Sequence, residues 1–92
     1  MAETLEVIIL TPNQIILRTQ ARALSSRSSL GPFDILPKHA NMIAMIQNQP
    51  IIVTLTDGKK LEFKFRVAIV YNTKSVVKVY TDILAQPNIR LT

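Results

Sequence analysis

"TDGKKLEFKFRVAIVYN", Thr56 to Asn72, is the stretch whose reading decides the fold. Asp57-Gly58 is the strongest short-range hairpin signal in the chain, because glycine takes up positive φ at no steric cost. Beyond it, Leu61, Phe63, Phe65, Val67, Ile69 and Tyr71 alternate with Glu62, Lys64, Arg66, Ala68, Val70 and Asn72. A period of two held for that length predicts one long strand with a whole face in a core and Lys64 and Arg66 in water.

Working outward, Pro50 opens a partner strand over Ile51 to Thr56. On the other side Asn72-Thr73-Lys74-Ser75 turns the chain and Val76 to Asp82 runs back. The tail from Ile83 to Thr92 holds Pro87 and little pattern. Near the N-terminus Leu5 to Leu10 reads as a short strand. Thr11-Pro12-Asn13 stops it, since proline cannot donate to a ladder and asparagine tolerates turn geometry. Ile15 to Leu24 resumes as a half-buried strand, with Arg18, Gln20 and Arg22 on one side and Leu17, Thr19, Ala21 and Ala23 on the other. Ser25 to Ser29 reads as a flexible connector. Met42, Ile43, Met45 and Ile46 fit helical spacing as well as a buried strand, and pattern alone does not separate the two. Short strands with frequent turns imply an all-β, antiparallel sandwich or barrel.

The chain has 92 residues, 48% of them hydrophobic, enough for one β domain over residues 1–92 with a real core. It has no cysteine, so disulfides and thiolate metal sites are excluded. A start of "MAETLEV" lacks the basic flank and apolar stretch of a signal peptide. Apolar runs stay far below the roughly 20 residues that span a bilayer. The protein is therefore expected to be soluble, or to be bound to a membrane only through a partner. The formal charge is +5, which points to an acidic partner or to a solvated basic surface. The cations are scattered, which favours the surface.

Reaction chemistry finds few ingredients. Asp34, His39 and the nearby serines could compose a hydrolytic triad, but no nucleophile-elbow motif frames them. One histidine without cysteine is a poor start for a metal site. With Gly31 and Gly58 as the only glycines there is no phosphate-binding loop. No cofactor and no metal are expected. A single-strand RNA or DNA binder would need rings and cations on one face. Phe63 and Phe65 have the opposite parity to Lys64 and Arg66, which counts against that alternative. The stretch Ser29 to Ile43, "SLGPFDILPKHANMI", is the elaborate one. Pro32 and Pro37 each fix their own φ and restrict the preceding residue, so Gly31 to His39 is expected to be a stiff, exposed loop suited to presenting a surface to a partner.

"GPFDILPKHANMI" resembles a loop of the epsilon subunit family of F-type ATP synthases (delta in mitochondria). "LEVIILTPNQIIL" resembles that family's opening hairpin, and "VTLTDGKKLEFKFRVAIVYNTKSVVKVYTD" its later strands; the likeness runs from about Leu5 to Ile83. It implies a β-sandwich of about ten short strands, with Met42 to Ile46 as strand. It implies a non-catalytic rotor subunit that couples the gamma subunit to the c-ring. The expected place is the cytoplasmic face of a bacterial inner membrane, reached only through the complex, with no nucleic acid partner. Thr11, His39 and Ala44 fall on positions that lie toward gamma, and Gly31, Pro32 and Phe33 on the loop that approaches the c-ring. Two positions depart from the family pattern. Pro32 stands where an acid is frequent, which puts a charged contact to the ring in doubt. Ile69-Val70 replaces a Gly-Gly pair, which implies a less bent strand. Longer members of the family continue into a C-terminal helical hairpin. Because the sequence ends at Thr92, neither hairpin-mediated inhibition nor nucleotide binding is expected.

Overall fold

The computed structural model describes residues 3–81 and 88–91. Regular structure there is entirely β: β1 (Leu5–Leu10), β2 (Ile15–Ser28), β3 (Gly31–Ile35), β4 (Met42–Gln47), β5 (Pro50–Leu55), β6 (Lys60–Lys64), β7 (Val67–Thr73), β8 (Val76–Thr81) and β9 (Asn88–Leu91). The hydrogen-bonded path runs β4-β7-β8-β1-β2-β5-β6-β9, and β3 adds to β2. Met42 to Gln47 is a strand, as the family resemblance implies. The ladders are antiparallel except β1–β8, which is parallel with Val7 opposite Val77 and Ile9 opposite Val79.

β2 makes this path fold over on itself. Its first half pairs with β1, from Leu10–Ile15 to Leu5–Ala21. Its second half pairs with β3 on the same edge and with β5 on the other, so Leu24 faces both Ile35 and Val53. β2 thus belongs to two layers: β4, β7, β8 and β1 on one side, and β5, β6, β9 and β3 on the other. A register shift between Ala21 and Ala23 lets both Ala21 and Leu24 point inward, three positions apart. A bulge inserts the extra residue that bends a strand where it changes layer.

Three sequence expectations change here. Ser25 to Ser28 is not a flexible connector but the end of β2, in register with Gly31–Asp34. Serine is a poor strand former, yet its context decides: all three serines pair with β3, Ser25 also pairs with Ile52 of β5, and Ser26 Oγ donates to the Pro50 carbonyl at 2.8 Å. Gly31 to His39 is not one loop, because its first five residues are β3. The long alternation from Leu61 to Asn72 is two strands with a phase slip. Phe63 and Phe65 point inward, Arg66 and Val67 are both exposed, and Ala68, Val70 and Asn72 then take the inward positions. The corner where the chain leaves the β6 layer for the β7 layer absorbs that slip. Of the C-terminal stretch, Asn88–Leu91 pairs antiparallel with β6, where the sequence carried little pattern. The expected strand end at Asp82 and the tail positions 83–87 and 92 lie outside the described residues.

The core between the layers comes from the strands just described: Leu5, Val7 and Ile9 of β1, Leu24, Ile35, Ile46, Ile51, Val53, Phe63, Val70, Val77 and Val79, each at most 2% exposed. Burying side chains of this size contributes roughly 1.5–3 kcal/mol each. Phe63 and Phe65 stack at 6.1 Å between ring centroids within that core. The Asp57-Gly58 turn forms as the sequence implies. Gly58, at φ +93°, donates to the Leu55 carbonyl, and Lys59 N–H is held by Asp57 Oδ1 at 2.9 Å.

Candidate functional site

Thr11, His39 and Ala44 share one layer but do not converge. Thr11 closes the β1–β2 turn. Its Oγ1 accepts hydrogen bonds from the Asn13 and Gln14 N–H groups, both at 3.1 Å, and its own N–H donates to the Gln14 carbonyl at 2.9 Å. A threonine only 8% exposed and bonded this way holds a turn. Ala44 lies on the inner side of β4, opposite Val70, and packs on the core; its neighbours Ile43 and Met45 are the residues that face out.

His39 sits at the other end of the layer, beside the β7–β8 turn. Leu36 to His39 forms a turn closed by the His39 N–H on the Leu36 carbonyl at 3.0 Å. Pro37 takes its second position, and Lys38 its third at φ +64°. Proline followed by positive φ is the type II arrangement. The rest of the segment is stitched to its neighbour. Lys38 N–H donates to Ser75 Oγ at 2.9 Å, Lys74 N–H to Asn41 Oδ1 at 3.3 Å, and Lys38 Nζ pairs with Glu3 at 3.0 Å. Asn72, fully buried, donates through Nδ2 to the His39 and Ala40 carbonyls at 3.3 and 3.0 Å. The His39 ring nitrogen Nδ1 is 2.8 Å from the Ala40 carbonyl. This loop is therefore held by hydrogen bonds to Asn72, Lys74 and Ser75 as well as by Pro37. Pro32 is in β3, opposite Arg27.

Gly31, Pro32 and Phe33 belong to the tip of the β2–β3 hairpin. Gly31 takes φ +120° with open space around its Cα, Pro32 is exposed, and Phe33 packs partly against the core. Asp34 lines a groove of about 620 Å³ with Ser25, Ser26 and Phe33, and His39 is not among the residues that line it. That groove therefore does not gather the ingredients of the hydrolytic reading. Among the described residues, no three histidine, cysteine or acidic side chains gather to hold a metal.

What the register does gather is an apolar outer surface that no single segment announced. Met45 faces Ile69, Ile69 faces Tyr80, Tyr80 faces Leu10, and Leu10 faces Ile15, one row across β4, β7, β8, β1 and β2. Met45, Tyr80 and Ile15 are 54%, 42% and 55% exposed. Ile43 and Tyr71 extend the row on one side and Val67 on the other. A shallow groove of about 430 Å³ runs through it, lined by Leu10, Thr11, Pro12, Val67, Ile69, Tyr80 and Thr81. Contiguous exposed apolar surface of this kind marks an interaction site. The phase slip at Arg66–Val67 is what puts Ile69 and Tyr71 here, so a reading that ran the alternation straight through hid them in the core. The nucleic-acid alternative loses its platform. Phe63 and Phe65 are buried, and the outer-face groove with Tyr80 is lined by no cation. Phe33 and Arg27 do share the groove of about 620 Å³, but Phe33 is packed partly against the core and Asp34 lines the same groove.

Comparison with known proteins agrees with this architecture. Residues 4–86 match the family model described as ATP synthase, Delta/Epsilon chain, beta-sandwich domain. An ATP synthase epsilon chain of a Nitratiruptor species is 33% identical over 58 residues, covering 63% of this chain and 45% of the relative. One from Xanthomonas campestris pv. campestris is 30% identical over 79 residues, 86% of this chain and 56% of the relative. The chain spans about half the length of these curated relatives. Among solved structures, a chain of the Euglena gracilis mitochondrial ATP synthase (OSCP/F1/c-ring, rotational state 1) superposes with a TM-score of 0.81 at 17% identity, covering 94% of this chain and 53% of that one. A chain from the central stalk/c-ring structure of the Tetrahymena thermophila mitochondrial enzyme gives 0.71 at 13% identity, with 94% and 65% covered. At those identities the likeness is one of fold.

Proposed function

This chain belongs to the delta/epsilon chain family of ATP synthases through its β-sandwich domain, and we propose on that premise that it is a non-catalytic subunit of the rotating stalk, seated between the gamma subunit and the c-ring. It works by contact. A part that passes torque must not yield under load, and close-packed sheets resist shear because their side chains have no free volume to move into. Gamma seats on the apolar outer face, and the β2–β3 hairpin, with Gly31, Pro32 and Phe33, faces the ring. Thr11 shapes the groove end of the gamma face, His39 lies at its opposite end, and Ala44 backs it from within β4.

The observation that carries this reading is the unbroken apolar row Met45–Ile69–Tyr80–Leu10–Ile15. A monomer gains nothing from exposing such a row, whereas a permanent subunit interface resembles a core cut in half. The bacterial epsilon chains among its relatives support a place on the cytoplasmic face of a bacterial inner membrane. Attachment there is peripheral and runs through the complex. No helix among the described residues is long and apolar enough to cross a membrane. Co-expression of the affinity-tagged chain with gamma and the c-ring of the same synthase tests the proposal. Both should be retained at one copy of chain per gamma through a salt wash, because apolar contacts survive screening. A chain that retains neither would end it.

A further inference from the structure

Lys78 stands within the outer face that carries the apolar row. It lies opposite Tyr71 of β7 on one side and Ile8 of β1 on the other. Along β8 its neighbours on the same face are Val76 and Tyr80, because side chains alternate along a strand. Uncharged side chains thus surround an ammonium group. Among the described residues nothing neutralises it: the ion pairs there, Arg18–Glu6 and Lys38–Glu3, leave it out. Glu6, one step away opposite Val76, is already committed to Arg18 at 2.9 Å. That pair cancels itself, so Lys78 leaves this part of the face with a positive charge uncompensated. The side chain is exposed, and in the free protein water solvates the charge. A partner that seats on this face removes that water. Ile43, Tyr71, Lys78 and Ile8 form one cross-strand row, directly beside Met45, Ile69, Tyr80 and Leu10. A body that covers both Tyr71 and Tyr80 therefore covers Lys78. Taking an ammonium group out of water without a counter-charge is strongly unfavourable, which excludes a wholly apolar or a cationic partner surface at that point.

We propose that Lys78 is a specificity-determining residue of this face: it admits a gamma subunit that sets a carboxylate against it, inside an otherwise apolar contact. This rests on the stalk reading above and names the chemistry the partner must bring to that face. A carboxylate fits better than a lone carbonyl, because it cancels the whole charge and makes the stronger, charge-assisted hydrogen bonds. The pair's role is selection more than affinity. Burial of apolar surface is non-directional, so the row from Met45 to Ile15 alone would accept a partner displaced along it. A charge at a fixed point does not: a displaced or wrong partner leaves the ammonium and its own acid buried apart, and such mispairing is what fixes register and rejects competitors.

Binding of the full chain to purified gamma of the same synthase, followed by surface plasmon resonance, reads the pair directly. Lys78→Met keeps the side chain's bulk and removes its charge. It should weaken binding by about 30-fold or more, because gamma's carboxylate is then buried unpaired. Lys78→Arg keeps the charge and should stay within about tenfold of wild type. The melting temperature should move in neither, since Lys78 is exposed and its charge meets only water in the free chain. Lys78→Glu should bind worst, and should recover with a gamma variant in which a single Asp or Glu is replaced by Lys. Equal or tighter binding by Lys78→Met would overturn the pair and leave the stalk reading standing. Weakened binding by Lys78→Met, with no gamma carboxylate variant restoring Lys78→Glu, would assign the acceptor to backbone carbonyls and overturn the pair too. If wild type does not bind gamma at all, the stalk reading falls and takes the pair with it.

Discussion

The two outer faces of this sandwich are built from the same kind of strand and meet water on opposite terms. On the β5–β6 face, Ile52 and Thr54 lie among Lys60, Glu62 and Lys64, and the exposed positions are charged. On the face made by β4, β7, β8 and β1, the row from Met45 to Ile15 carries no charge, and Lys78 and the Arg18–Glu6 pair (2.9 Å) stand in the neighbouring rows. Both faces lie over the same core, so folding asks nothing different of them. The difference is what each meets outside: solvent covers the first, and the second has the composition of a surface awaiting a partner.

A charge at the centre of the apolar face should break this contrast most severely. Tyr80→Glu places a carboxylate in the groove beside Ile69 and Leu10, where a seated partner would bury it unpaired. A buried uncompensated charge costs about 3–5 kcal/mol, so gamma capture should fall by more than about 100-fold. Tyr80 is 42% exposed in the free chain, so the melting temperature should move little. Lys64→Glu makes a larger charge change on the other face and should leave capture within about threefold, since rim and solvent charges contribute little. Surface plasmon resonance on both variants gives the comparison directly. Equal losses would mean the faces do not differ in use.

The second effect acts through stability. Asn72 is the polar member of an inward row otherwise made of Ala68 and Val70, and it fastens the His39 segment to the apolar layer. Asn72→Ala strips two carbonyls of their donor and should cost about 1–3 kcal/mol in a denaturation midpoint. Amide exchange should rise selectively over the His39 segment, with the β5–β6 face unchanged. A loss spread evenly over both layers would mean that Asn72 acts through packing.

How much of this was legible in the sequence depended on whether a feature lived inside one strand or between strands. β1, the Asp57-Gly58 turn and the β7–β8 turn were readable because their signals are local: alternation, glycine, a polar cluster. The β2 serines read as a linker because of serine's composition, while the ladder to β3, and for Ser25 the one to β5 as well, holds them extended. The phase slip at Arg66–Val67 was invisible because alternation looks the same on either side of a corner. Only the sandwich geometry says that "inward" has reversed. That one slip hid the outer face, since it exchanged Ile69 and Tyr71 with Val70 and Asn72. Ala44 illustrates the same limit from the other direction: the motif located β4, but not which of its residues face out. Asn72 carried a faint signal that only the right phase reveals, a polar side chain in an apolar inward register.

The smallest effect tests where the apolar face ends. β4 is the last strand of its layer. The Asn48 N–H donates to the Arg66 carbonyl at 3.1 Å, in step with the pairs Ile46–Ala68 and Ala44–Val70. Antiparallel ladders bond at alternate residues, so the even-numbered residues of β4 bond toward β7, and the backbone groups of Ile43 and Met45 point away from it. Ile43 is 69% exposed and the strand Met42–Gln47 holds no charge and no proline, the devices that keep an edge from pairing with another chain. Ile43→Lys supplies one. In light scattering on heating, the isolated variant should aggregate later than wild type. Because Ile43 is at the rim of the face, gamma capture should fall only about three- to tenfold. A drop as large as that of Tyr80→Glu would move the centre of the contact from the β7–β8–β1 groove to the β4 edge, and the face would then have to be redrawn around Ile43 and Met45.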